Sequence, residues 1–354
     1  MSRFLDQKLH ELESYIPGEQ PKGRRIVKLN TNENPFPPSP SVIDAITAEE
    51  VGKLRLYPDP AADDLSQSIA SFYGLEKDQI LTGNGSDEIL ALCFHGFCPD
   101  GVAYSDLTYG FYPVYAKMFG VKERVVPLRE DFTLAVEDYM ELGETAMIVN
   151  PNAPTGLAVT KKEIESLVKS NRDRLVIVDE AYVDFGGESS IPLVKEYDNI
   201  LVIQTFSKSR QLAGMRLAFA AGDAQLIADL AKMKFSFNPY SVNRLALIAG
   251  KAAIEDTEYF EKTTREIVET REWMKKELER LGCIVLPSKT NFLFVRPPFA
   301  AGTVYKRLKD HDVLVRYFPG ERTGKWLRIS VGTREDGRKM LDALEMIWKE
   351  ESHA

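Results

Sequence analysis

Little in this sequence belongs to an extracellular, membrane-bound or nucleic-acid-binding chain. Its three cysteines, Cys93, Cys98 and Cys283, show neither the even framework of a secreted scaffold nor CxxC spacing. Its four histidines, His10, His95, His311 and His353, lie far apart, so no zinc set is spelled. No apolar run approaches the roughly 18 residues a membrane helix needs, and the first residues lack the apolar stretch of a secretory signal. Basic residues are outnumbered by acidic ones, 45 to 53, and are scattered rather than blocked, which removes the footprint of nucleic-acid binding. These absences lead us to expect a reducing cytoplasm, no metal, no membrane and no nucleic-acid partner.

What is present is ordinary globular material, 44% hydrophobic and 28% charged, and at 354 residues it is long enough for about two domains. A helical face is expected over Phe4–Ser14, followed by an extended arm at Tyr15-Ile16-Pro17-Gly18. A turn-rich segment, Asn30-Thr31-Asn32-Glu33-Asn34-Pro35, and a helix over Ser41–Leu54 come next. From Ile80 to Ala221 short apolar runs alternate with amphipathic helical patterns: 80–82, 102–105, 125–128, 145–149, 175–178, 200–203 and 217–221. That alternation predicts an α/β fold with a mostly parallel sheet covered on both faces, and a ligand site at the strand ends. After Tyr240 two helices lead into short strands and a last helix from Arg334, an α+β layer of its own. The segment Gly320-Glu321-Arg322-Thr323-Gly324-Lys325 superficially looks like a phosphate loop, but it is one residue short and Trp326 stands where Ser or Thr is needed.

The candidate chemistry collects at the ends of the apolar runs. Gln204-Thr205-Phe206-Ser207-Lys208-Ser209 puts a lysine flanked by hydroxyls after a buried strand, with Arg216 one short loop later. Alone, such a hexapeptide more often means a surface lysine. Asp179 ends Val176-Ile177-Val178, with Tyr182 three residues on; a carboxylate there is costly to bury unless something positive pairs with it. Asn152 follows the 145–149 run in a proline-rich loop, and Gly83-Asn84-Gly85-Ser86 opens a helix whose free amides suit a phosphate. Asp87 beside such a phosphate would repel it, so Ser86 and the amides are expected to make the contact. Together these posts fit pyridoxal phosphate. It needs an amine for its aldehyde (Lys208), a carboxylate at its ring nitrogen (Asp179) and donors at its phenolic oxygen (Asn152, Tyr182). It also needs a stacking ring (Tyr109) and an anion site (Ser86, Ser207, Arg216, with Thr205 alongside).

On Tyr57-Pro58-Asp59, Gly85-Ser86-Asp87-Glu88, Asn150-Pro151-Asn152-Ala153-Pro154-Thr155-Gly156, Asp179-Glu180-Ala181-Tyr182, Phe206-Ser207-Lys208, Gly214-Met215-Arg216 and Leu327-Arg328-Ile329-Ser330-Val331-Gly332, the chain resembles the fold type I, aspartate-aminotransferase-like superfamily of pyridoxal-phosphate enzymes. Within it the chain is similar to the histidinol-phosphate aminotransferase family. The resemblance implies a seven-stranded, mostly parallel sheet in a large domain (30–250), and a small α+β domain (251–354) joined by the N-terminal helix and arm (1–29). It implies transamination of histidinol phosphate with 2-oxoglutarate. Gly85 and Asp87 join the residues above as cofactor contacts, and Tyr57 reaches the cofactor of a neighbouring subunit, hence a homodimer. Arg328 would grip an α-carboxylate, Arg316 and Tyr15 a distal phosphate, and Asn32 would join the substrate site. An aromatic aminotransferase, a threonine-phosphate decarboxylase and a ligand-sensing domain of the same fold are the alternatives. Ser209-Arg210-Gln211-Leu212 departs from the small or aromatic residue and glycine that often follow the lysine, and predicts an altered loop there.

Overall fold

Strand β1 (Val27–Lys28) is the first strand among the described residues, and the seven apolar runs from β2 (Ile80–Gly83) to β8 (Ala218–Gly222) build one sheet. The computed structural model describes residues 2–10, 12–20 and 26–352. Between β2 and β8 lie β3 (Val102–Ser105), β4 (Glu123–Val126), β5 (Thr145–Val149), β6 (Val176–Asp179) and β7 (Ile200–Thr205), and the spatial order is β2-β8-β7-β6-β5-β3-β4. All neighbours run parallel except β8, which is antiparallel to both β2 and β7. Every residue of β5, β6 and β7 is buried, so these strands read as unbroken apolar runs rather than alternating ones. Two apolar clusters line the two faces, one through Ile148, Val178 and Val202, the other through Met147, Ile177 and Leu201. Adjacent residues of a strand point to opposite faces, and each face is roofed by helices.

The chain beyond Glu255 forms the second layer. The helix Thr257–Arg280 leads to a four-stranded antiparallel sheet built from β9 (Ile284–Val285), β10 (Phe292–Arg296), β12 (Arg316–Tyr317) and β13 (Leu327–Ser330), ordered β12-β13-β10-β9. Strand β11 (Val313–Leu314) pairs instead with β1, which ties the N-terminal segment to this layer. Its core runs through Ile267, Leu293, Ile329 and Leu344, and takes in Leu29 from the other end of the chain. A small cluster of Leu128, Phe132, Phe294 and Trp326 bridges the two sheets.

Three expectations need correction. The helix over Phe4–Ser14 is only a short turn at Gln7–Leu9, and Phe4 is 82% exposed: its apolar residues meet no core in the single chain. Residue 11 of that segment, like 1, 21–25 and 353–354, lies outside the described residues. The helix over Ser41–Leu54 breaks in two, Pro40–Ala45 and Ala48–Gly52, because the Thr47 hydroxyl accepts from Glu50 N and starts a new helix. The helix Ala224–Phe237 has no counterpart among the expected elements, although buried Ile227 and Leu230 carry its spacing. Cys93, Cys98 and Cys283 are buried and unpaired, and no helix among the described residues is long and apolar enough to cross a membrane.

Candidate active site

Strand β7 delivers Lys208, and the loop after it is tied down residue by residue. Ser207 N donates to Thr205 Oγ1 (3.1 Å), Asn34 Nδ2 donates to Lys208 O (2.8 Å) and Ser209 Oγ donates to Asp184 Oδ2 (2.5 Å). Arg210, whose presence marked the loop as unusual, is buried; it donates to Ala253 O (2.9 Å) and lays its guanidinium 3.5 Å from the Phe260 ring centroid. Gln211 Nε2 donates to Thr263 Oγ1 (2.9 Å). These anchors leave the Lys208 side chain free to project: its Nζ lies 3.5 Å from Thr31 O and 5.7 Å from the Tyr182 ring centroid.

Ser86, Asp87, Tyr109, Asp179, Tyr182, Thr205, Ser207, Lys208 and Arg216 line one pocket at the strand ends. Gly85 sits behind Arg216 at φ +77°, where a Cβ would lie 2.6 Å from Arg216 Nη2, so only glycine leaves room for that guanidinium. Arg216 Nη2 donates to Asp87 Oδ2 (2.8 Å), and the Tyr109 hydroxyl donates to Asp87 Oδ1 (2.8 Å). The negative charge expected to repel a phosphate is thus balanced by Arg216. Besides Gly85, Asn152 is the predicted contact of this chain's own that does not line the cavity, and Tyr57 is expected at a neighbouring subunit's site rather than at this one. Asn152 lies outside its lining, with its amide donating to Leu107 O (3.1 Å) and Thr155 Oγ1 (3.0 Å). Tyr57 is 77% exposed and stacked on Tyr240, 4.6 Å between centroids.

Asp179 is buried, and what satisfies it is neutral rather than positive. The Tyr112 hydroxyl donates to its Oδ2 (3.1 Å) and Ala181 N to its Oδ1 (3.2 Å). Burial pushes its pKa up to about 6, against the lowering effect of these donors. Tyr112 went unread in the sequence because it looks like one more apolar position of the helix Tyr112–Phe119. In the cofactor-free chain the folded state therefore holds an extra proton between the ordinary carboxylate range and about pH 6. Its stabilising contribution is whole below the unfolded pKa and is lost as pH rises through about 6. Asp179→Asn removes that dependence. Its urea stability relative to wild type is expected to improve between about pH 4 and pH 7, by about 3 kcal/mol for a shift of roughly two units. A gap that stays constant across that range would contradict the burial argument.

A second cleft of about 400 Å³ opens onto the same lysine, with Tyr109, Tyr182 and Lys208 common to both. Tyr15, Asn32, Arg316 and Arg328, the residues expected to meet substrate, all line it. Tyr15 stacks on Phe111 with centroids 4.3 Å apart. Arg316 and Arg328 are cross-strand partners on β12 and β13, which sets two guanidinium groups side by side. Arg328 Nη2 donates to Asn30 O (3.1 Å), its Nε is buried with no partner among the described residues, and burial lowers its pKa. A guanidinium that lines a cleft and is short of hydrogen-bond partners is a place for an anion. Asn32, at φ +55°, donates from Nδ2 to the Tyr182 hydroxyl oxygen (3.0 Å), and Ser330 Oγ donates to its Oδ1 (2.9 Å). Asn32 thus holds Tyr182 as well as lining the cleft. Asp106, Phe318 and Thr323 complete the walls and carry no local sequence signal.

The donor set fits pyridoxal phosphate. A primary amine projects beside a buried carboxylate, and an arginine stands at a glycine-opened helix start where any side chain would fill the space.

Similarities to known proteins agree with this geometry. The family model for aminotransferase class I and II matches residues 24–344. A histidinol-phosphate aminotransferase of Clostridium botulinum (strain Okra / Type B1) is 45% identical over 350 residues, covering 98% of this chain and 99% of that one. One of Brachyspira hyodysenteriae is 46% identical over 353 residues, covering 99% and 100%. Among solved structures, the histidinol-phosphate aminotransferase of Sinorhizobium meliloti in complex with pyridoxal-5'-phosphate superposes with a TM-score of 0.87 at 24% identity, covering 99% of this chain and 100% of that one, a likeness of fold. The chain belongs to the class I and II aminotransferases and, within them, to the histidinol-phosphate aminotransferase family.

Proposed function

We propose that this protein transfers the amino group of histidinol phosphate to 2-oxoglutarate, giving imidazole-acetol phosphate and glutamate in histidine biosynthesis. The observation that carries this reading is the charge of the cleft: Lys208, Arg316 and Arg328 line it, against one carboxylate, Asp106, among the described residues. In a chain of net charge −8, so local a positive field suits substrates with phosphate or two carboxylates.

Pyridoxal phosphate, when bound, supplies an aldehyde for the amino group and a ring that withdraws electrons from the neighbouring C–H bond. Lys208, Asp179, Tyr182, Tyr109, Ser86, Ser207, Thr205 and Arg216 would hold it, with Gly85 and Asp87 shaping the phosphate end and Asn152 bracing the wall. Asp179, as a carboxylate, favours a proton on the ring nitrogen. Lys208 Nζ takes the proton from the substrate Cα and returns it on the other side of the exchange. Arg328 receives the α-carboxylate of glutamate. Histidinol phosphate has no carboxylate, so its phosphate meets Arg316 and Tyr15, with Arg328 adjacent. Asn32 keeps the Tyr182 hydroxyl in place.

The same reading makes the protein a cytoplasmic homodimer in which Tyr57 serves the neighbouring site. Supporting it are the exposure of Tyr57 and of Leu54 and Leu56 beside it, 77%, 51% and 47%. It also divides the chain at about residues 30 and 250 into a large cofactor domain and a small domain; supporting this are one apolar core drawn from between Val42 and Ile254 and another drawn mostly from Ile267 onward, which also takes in Leu29, Ala153, Tyr182 and Phe185.

The test is a single half-reaction. Holoenzyme is mixed separately with histidinol phosphate, phenylalanine and threonine phosphate, and the absorbance of the bound cofactor is followed. Rapid conversion by histidinol phosphate above the others is expected. Preference for phenylalanine would replace the reading with an aromatic aminotransferase, and release of carbon dioxide from threonine phosphate with a decarboxylase.

A further inference from the structure

The glycine-rich segment Gly320–Lys325, which fails as a phosphate loop, folds into the hairpin that joins the two arginine strands. Gly324 N donates to Gly320 O (2.7 Å), Thr323 Oγ1 donates to Phe318 O (2.9 Å) and Trp326 N donates to Thr323 O (2.8 Å). This tight turn throws Arg322 away from its own sheet and toward the large one. Its Nη1 donates to Asp106 Oδ2 (2.5 Å), just past the end of β3, and its Nη2 donates to Arg129 O (2.6 Å). The guanidinium also lies 5.3 Å from the Phe132 ring centroid, beside the apolar cluster that bridges the two sheets. Both partners of the pair are partly withdrawn from water, with side chains 30% and 23% exposed.

Asp106 is the one carboxylate among the described residues that line the substrate cleft, which it shares with Lys208, Arg316 and Arg328. Its Oδ1 accepts from Leu128 N (2.9 Å), so the carboxylate is fixed at the wall and cannot swing out to solvent. Left bare, it would oppose any anion drawn in by the arginines.

We propose that Arg322 is a specificity-determining residue of the substrate cleft: by pairing with Asp106 it cancels the one negative charge that the described residues place on the cleft wall, and so preserves the selectivity of Arg316 and Arg328 for doubly charged substrates. This rests on the site reading above. The pair also fastens the hairpin between β12 and β13 to the large sheet, so a purely mechanical role has to be separated from the electrostatic one. An electrostatic role scales with substrate charge, whereas a mechanical one does not. Restoring neutrality by removing the carboxylate should repair the first and not the second.

The experiment uses holoenzyme and the concentration dependence of the single-turnover half-reaction, with histidinol phosphate as the doubly charged substrate and phenylalanine as the singly charged one. In Arg322→Gln the half-saturating concentration should rise about tenfold for histidinol phosphate and about threefold for phenylalanine, with the limiting rate little changed, as expected for one uncompensated charge at partly screened range. The Asp106→Asn/Arg322→Gln double variant should recover most of the loss for histidinol phosphate. Equal losses for both substrates, a fall in the limiting rate alone, or a double variant no better than the single would overturn the proposal. Failure of the underlying site reading looks different: the wild-type enzyme itself would then show no preference for histidinol phosphate, or Arg316→Gln would leave its half-saturation unchanged.

Discussion

Lys208→Ala is expected to abolish transamination while leaving the fold intact. The backbone at this position is held by Asn34 donating to Lys208 O and by the anchors of Ser209, Arg210 and Gln211, none of which uses the lysine side chain. Its Nζ makes a long 3.5 Å approach to Thr31 O and lies 5.7 Å from the Tyr182 ring centroid, so truncation removes little that stabilises. The chemical loss is large on the proposed roles of this amine, as anchor of the cofactor and carrier of the proton at Cα. Positioned proton transfer alone contributes about 10²–10⁴-fold, and the loss of the covalent anchor adds to it. The half-reaction rate should fall by on the order of 10⁴-fold or more, and the absorbance of the lysine-linked cofactor should disappear, with thermal unfolding almost unchanged. An unaltered spectrum would remove Lys208 from the assignment.

The next largest effect is one of selectivity. Arg316→Ala is expected to weaken histidinol phosphate by about 2–5 kcal/mol in kcat/KM, the usual result of truncating one partner of a desolvated charge pair, while phenylalanine loses far less. Arg328→Ala should instead weaken glutamate and phenylalanine, which bring an α-carboxylate. The two guanidinium groups are cross-strand partners, so the distinction is a demanding one: their separation is a single strand spacing. Burial raises the stakes for Arg328, whose Nε has no protein partner among the described residues. Steady-state kinetics with both substrates on both variants decide it. Equal losses for phenylalanine and histidinol phosphate in Arg316→Ala would sink the division of roles.

Much of the cavity at the strand ends was legible because its residues stand at the ends of unbroken apolar runs. Asp179 closes β6 and Lys208 follows β7 at once, so local pattern alone put a carboxylate and an amine at neighbouring strand ends. Gly85 was legible as a turn, and its φ of +77° gives the reason. What satisfies Asp179 was not legible. A buried carboxylate pointed to a positive partner, and the structure supplies Tyr112 and a backbone N–H, at the cost of a raised pKa. The N-terminal helix was misread for the opposite reason: Phe4, Leu5 and Leu9 have helical spacing, but spacing forms a helix only where there is a core to receive it.

The sequence by itself determined the chain order of the seven strands of the large sheet, the family, and the chemical groups available at each strand end, because these depend on residues close together along the chain. Only the tertiary structure decided which charges neutralise one another. Asp106 and Arg322 are 216 residues apart, and nothing near either one foretells the pair. Arg316 and Arg328 read as two separate arginines until a hairpin turns their strands side by side. Asn32 reaches Tyr182 across 150 residues in the same way. Backbone periodicity is a local property, but the field inside a cleft is the sum of charges brought together from every part of the chain.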